Sequence, residues 1–196
     1  MGYRHYFHKC KKSDVAAIRD KTLEELEVYA KEHNTELYVF SDKFLPKEKV
    51  FCFGKLYYED TAERIYGTGT PMFSRPEVME EFKDYIPYEV GKAGVLKAIE
   101  IYKEKIKAYY EQLTVDGATQ ILPFGIELPL PNVTSEQKIK EHIEEKLNEI
   151  NRIVDTDINR KDVLTRSWEY EYSIFNLVYI LKTTDWENET IIFLGW

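Results

Sequence analysis

A chain of 196 residues with 43% hydrophobic side chains has enough apolar mass for one buried core, which excludes an overall disordered reading. The formal net charge of −8, from 27 Lys and Arg against 35 Asp and Glu, opposes general nucleic-acid binding, because that needs cations facing phosphates. Two cysteines, Cys10 and Cys52, form no CxxC pair, so the common structural zinc pattern is absent, and no apolar run approaches the roughly 18–20 residues of a membrane span.

Residues 2–8 alternate: Tyr3, His5 and Phe7 share one face of an extended chain, and Arg4, Tyr6 and His8 the other, which predicts an opening strand. Ser13 is placed to cap a short helix through Val15 and Ile18. Thr22 with Glu25 makes a capping box ahead of a helix carrying Leu23, Leu26 and Ala30, ended at Asn34. Leu37–Phe40 and Val50–Phe53 are β-rich runs that could form a loose hairpin across Ser41–Glu48. Asp60–Tyr66 predicts a short helix and Gly67–Pro71 a loop. Ser74 and Glu77 around Pro76 signal another helix start, with that helix running to about Ile86.

The strongest helical signal covers 93–114, where Val95, Ile99, Tyr102, Ile106, Tyr109 and Leu113 form one apolar stripe. Residues 115–134 combine Gly117, Pro123, Gly125, Pro129 and Pro131 with many aliphatic side chains, the pattern of an apolar loop that packs, covers something or includes a short strand. Ser135 caps a helix to roughly Ile153 with Ile139, Ile143, Leu147 and Ile150 on its apolar stripe. For Ser167–Thr183 the 168–172–175–179 spacing favours a helix and the Trp168, Tyr170, Tyr172 alternation a strand; the length of the run decides for helix. Asp185–Glu189 is a polar turn before a β-rich run over Thr190–Leu194, which needs pairing to be stable.

The candidate sites each have a plainer reading. Gly67-Thr68-Gly69 looks like a phosphate loop but lacks the third Gly of a dinucleotide pattern and the Gly-Lys-Ser/Thr ending of a triphosphate loop, so a structural turn outweighs it. His5, His8 and Cys10 are close in sequence, but strand alternation separates His5 from His8, and no metal is expected. Neither Cys10 nor Cys52 carries the local signature of a nucleophile. The acidic pairs Glu59/Asp60, Glu169/Glu171 and Asp185/Glu187 suit general acid–base work only in a shaped pocket, and solvated surface is the commoner reading.

Two features stand out. Arg4, Lys9, Lys11 and Lys12 form a basic cluster mixed with Tyr3, Tyr6 and His8, which could hold a small phosphate-bearing ligand by charge and stacking; a charged strand end is the alternative. With the 67–71 loop this gives a ligand set of Arg4, Tyr6, His8, Thr68 and Thr70. Trp186 lies between acids in a turn and could anchor a partner, with Glu187 and Tyr170 beside it, or fold back onto the last strand.

The opening MGYRHYF (residues 1–7) and the turn Asp185–Asn188 followed by Phe193-Leu194-Gly195-Trp196 resemble small uncharacterised proteins encoded by phages and prophages of Gram-positive bacteria. The resemblance covers the chain ends and carries no catalytic residues. It implies an accessory protein outside the virion, made inside an infected or lysogenic cell and binding a host or competing factor, host-defence components included.

The expected fold is α+β: one domain over 1–196, with a small antiparallel or mixed sheet from the N-terminal, central and C-terminal strands packed by three or four helices. The N-terminus lacks the apolar core of a signal peptide, so the expected location is the bacterial cytoplasm, with reduced thiols. The sequons at Asn132 and Asn188 then carry no meaning. The expected function is binding and modulation or inhibition of a host protein; the alternative is a binder or hydrolase of a small nucleotide-like ligand. No cofactor and no membrane contact are expected, and no oligomeric state follows from the pattern.

Overall fold

The computed structural model describes residues 5–32, 48–52, 59–83, 86–111, 119–121, 127–129, 134–155 and 172–195. The alternating opening becomes β1 (His5–Lys11), and the β-rich run near the other end becomes β7 (Glu189–Gly195). They pair antiparallel over seven residues, from His5 with Gly195 to Lys11 with Glu189. The sheet order is β2-β1-β7-β4-β3, with β2 at Glu48–Cys52, β3 at Thr70–Pro71 and β4 at Tyr88–Glu89. Every pairing in it is antiparallel. The strand predicted to need pairing therefore lies at the centre, hydrogen-bonded on both sides.

Directly opposed residues of antiparallel strands share a face, so the register sorts the side chains. Phe7, Phe193, Tyr88 and Pro71 make one row; His8, Ile192, Glu89 and Thr70 make the next, on the other face. Each face has its own helices. The Phe7 side packs against α3 (Glu59–Tyr66), α5 (Gly91–Glu111), α6 (Glu136–Asp155) and α7 (Tyr172–Thr183). The His8 side packs against α1 (Lys12–Arg19), α2 (Leu23–Glu32) and α4 (Pro76–Glu81). The fold is α+β, a small antiparallel sheet between two helical layers. Seven helices appear among the described residues, and four of them run ten residues or longer.

Both long amphipathic helices bury the part of the predicted stripe that lies among the described side chains, with Leu147 of α6 half-buried. Val95, Ile99 and Tyr102 of α5 and Ile139 and Ile143 of α6 join Phe7 and Phe193 in one cluster. Ala98 and Ile101 are buried too, so the apolar face of α5 is wider than the stripe. Helix α5 begins two residues before its predicted start, at Gly91, whose φ of +55° suits glycine and turns the chain off β4 directly into the helix.

Local signals were met unevenly. The Thr22 N–H donates to the Glu25 carboxylate (2.8 Å) and the Glu25 N–H to Thr22 Oγ1 (3.2 Å), a complete capping box. Ser135 Oγ accepts the Lys138 N–H at 3.3 Å. Ser13 is not a cap: α1 starts at Lys12 straight off β1, and the Ser13 hydroxyl donates to Asp14 Oδ1 instead. Ser74 does not cap α4 either, because its hydroxyl donates to Asp20 Oδ1 (2.6 Å) and ties the α1–α2 corner to the loop. Helix α4 stops at Glu81 rather than near Ile86; Phe82 turns inward to stack on Phe73, with centroids 5.2 Å apart. The predicted loop 67–71 ends in β3, paired with β4. The apolar stretch 115–134 contains two short strands, β5 (Thr119–Ile121) and β6 (Glu127–Pro129), paired with each other. Residues 172–183 are helical, in agreement with the spacing argument. The run Leu37–Phe40, Asn34, and residues 167–171 lie outside the described residues.

Candidate functional site

Among the described residues, the predicted ligand set does not converge. Arg4 lies outside the described residues. Tyr6, half-buried, and His8, fully buried, follow each other on one face of β1 with ring centroids 6.3 Å apart. Thr70 shares that face but sits three strands away, about 14 Å at the usual strand spacing. Buried Ile192 and the Glu89 carboxylate, ion-paired with Arg19, stand between them. Thr68 is used locally: its hydroxyl donates to the Ile65 carbonyl at 2.7 Å, closing the turn after α3. Gly69 is there for backbone contact, since a Cβ at this position would lie 2.3 Å from the Glu89 carbonyl oxygen. The phosphate-loop lookalike is a turn that delivers β3 against β4.

The basic cluster and the Trp186 turn, separate candidates in the sequence, form one corner. The Lys12 backbone N–H donates to the Asn188 carbonyl (2.9 Å), and Lys12 Nζ donates to the carbonyls of Trp186 (2.8 Å) and Glu187 (3.1 Å). Lys9 Nζ reaches the Thr183 carbonyl at 3.4 Å. Lys9 thus meets the carbonyl-rich end of α7, where cations are favoured, and Lys12 meets the turn that follows it. Trp186 folds back: its indole N–H donates to the Leu181 carbonyl (3.1 Å) and its ring packs against the core, leaving it half-buried. Asp185 Oδ1 accepts the Glu187 N–H and Oδ2 the Asn188 amide, and these bonds hold its carboxyl below its ordinary value. The carboxylates thus wire the turn, and Glu187 is exposed at its tip. Tyr170, Glu169 and Glu171 lie outside the described residues, as do the side chains of Glu59 and Asp60.

Cys10 is buried on the His8 face. Burial, with the Glu89 carboxylate second, pushes its thiol up from 9.0 to about 12, the reverse of what a nucleophile needs. In a Cys52→Ser background, labelling of native protein by a thiol reagent at pH 8 is expected to proceed only at the rate of global unfolding, measured in parallel in urea; fast labelling would refute the burial. The unfolded thiol ionises first as pH rises, so the contribution of Cys10 to stability is full below pH 9 and is lost toward pH 12. Among the described residues, no three His, Cys, Asp or Glu side chains gather as metal ligands.

A different surface carries an open groove. Helix α2 buries Leu26 and Ala30 and presents outward a groove of about 350 Å³, lined by Lys21, Glu24, Glu25, Val28, Tyr29 and Glu32. Val28 is 54% exposed, the most exposed large aliphatic side chain among the described residues. Tyr29 is half-buried, and Lys21 Nζ lies 5.7 Å from its ring centroid. Burial first, then Asp14 and Glu32, raise the Tyr29 hydroxyl above its ordinary value. The capping box holds Glu25 below the usual carboxylate range, with Lys21 and Arg75 adding to the effect. Sequence reasoning passed over this groove. The available signal was Val28 at four residues from both Glu24 and Glu32, off the Leu26–Ala30 stripe. No protein-family model, curated protein or solved structure matches the chain.

Proposed function

We propose that this protein acts by binding another protein, a host factor of the bacterial cell in which it is made, and so modulates or inhibits that factor. The observation that carries this reading is the α2 groove: a concave, half-apolar surface with Val28 open to solvent and Tyr29 forming one wall. Aromatic and aliphatic side chains rimmed by charge are the composition of protein contact surfaces. The resemblance of the chain ends to phage and prophage accessory proteins supports the same class of role, with host-defence components among the candidate partners. No described helix is long and apolar enough to cross a membrane.

The test is affinity capture from lysate of a Gram-positive host with wild-type protein and a Val28→Arg variant. Because Val28 is on the surface, its replacement leaves stability within about 0.5 kcal/mol. The expected result is one protein retained in stoichiometric amount by wild type and lost with Val28→Arg. Equal retention by both would sink the assignment of the groove. A melting temperature raised by nucleotides, with no protein retained, would favour the small-ligand alternative instead.

A further inference from the structure

The α2 groove already contains a cation. Lys21 stands just before the capping box, and its ammonium group lies over the face of Tyr29. Three carboxylates, Glu24, Glu25 and Glu32, line the same groove, and Asp14 is close enough to act on the Tyr29 hydroxyl. An aromatic face beside carboxylates holds an ammonium or guanidinium group by ring quadrupole and charge together. Val28 supplies an apolar surface for the aliphatic stem that such a group carries. A second nearby cation, Arg75, does not line the groove: its Nε donates to the Asp20 carbonyl at 3.0 Å and its charge acts on Glu25.

Resting on the protein-binding reading, we infer that the groove recognises a Lys or Arg side chain projecting from the partner, and that Lys21 is an internal surrogate the partner must displace. Charge complementarity selects this occupant. An acidic segment would face three carboxylates against one ammonium, and a second copy of a chain carrying a net charge of −8 would bring further repulsion. A volume of about 350 Å³ leaves room for one Lys or Arg side chain.

The inference makes Lys21 a competitor, which sets it apart from an ordinary surface lysine. The probe is a blocked tetra-arginine peptide, titrated calorimetrically into the full chain, with a tetra-glutamate peptide as control. Lys21→Ala is expected to tighten tetra-arginine binding about threefold, the factor that goes with releasing an exposed cation–π contact. A Glu24→Gln/Glu32→Gln double variant, which spares the capping box, is expected to lose most of the binding, and Tyr29→Leu likewise. Circular dichroism melts of the same variants verify that each is folded. Weaker or unchanged binding in Lys21→Ala, or wild-type binding in the glutamine variant, would overturn the inference. The captured partner then separates the two readings. If capture depends on Val28 but its affinity is indifferent to Lys21→Ala, the protein-binding function stands and cation recognition falls. If capture ignores Val28 as well, the groove assignment and cation recognition both fall, and a protein-binding function would have to use another surface.

Discussion

Phe193→Ala is expected to destabilise the protein by about 3–5 kcal/mol, the range for truncating a buried aromatic ring. Phe193 is fully buried at the middle of β7, the central strand. Its ring lies 4.9 Å from the ring of Phe7 and 4.9 Å from that of Tyr66, centroid to centroid. Phe7 is its register partner on β1, and Tyr88 its register partner on β4. With strands hydrogen-bonded on both sides, the backbone cannot move in to fill the space, so the cavity persists and adds to the lost transfer energy. For a chain of this size the loss corresponds to a fall in melting temperature of roughly 6–20 °C. Urea and thermal melts measure it, and a change below about 1 kcal/mol would remove Phe193 from the centre of the core.

Gly69→Ala is expected to cost about 3 kcal/mol, through overpacking rather than a cavity. The added methyl would sit 2.3 Å from the Glu89 carbonyl oxygen and 2.9 Å from the Val90 Cα, both backbone atoms that no rotamer change can move. Relief requires β3 to part from β4, and with it the edge of the sheet. Gly67→Ala is the internal control: its nearest neighbours would be carbonyl oxygens at 3.6 Å, ordinary contacts, so its effect should stay within about 0.5 kcal/mol. Equal melting curves for the two variants would contradict the close approach of the turn to β4.

The sequence announced the long elements because periodicity is a sum over many residues. Helices α5 and α6 carry their stripes for 21 and 20 residues, and the strands β1 and β7 alternate or run β-rich for seven. It did not announce β3 and β4, which have two residues each and exist only because β7 and the Gly69 turn bring them together. Ser13 and Ser74 show the same limit: a hydroxyl near a helix start suggests a cap, but the neighbouring Asp14 takes the first and Asp20, brought within reach by the fold, takes the second. The candidate site followed this rule. Lys12 and Trp186 read as separate sites until the pairing of β1 with β7 made them neighbours. The α2 groove was overlooked because one exposed valine is unremarkable in a sequence, and its meaning depends on Tyr29 and Lys21 lying beside it.

The pairing of Cys10 with Thr190 also has a consequence for synthesis. At about 5–20 residues per second, a ribosome makes β1 on the order of ten to forty seconds before β7. Throughout that interval Phe7 and Cys10 have no neighbouring β7, and neither helical layer has a finished surface to close on. Local pieces such as the α1–α2 corner can form during translation, but the sheet must wait for its middle strand. A nascent chain interrupted before Glu189 therefore lacks the middle strand of the sheet and its contribution to both cores.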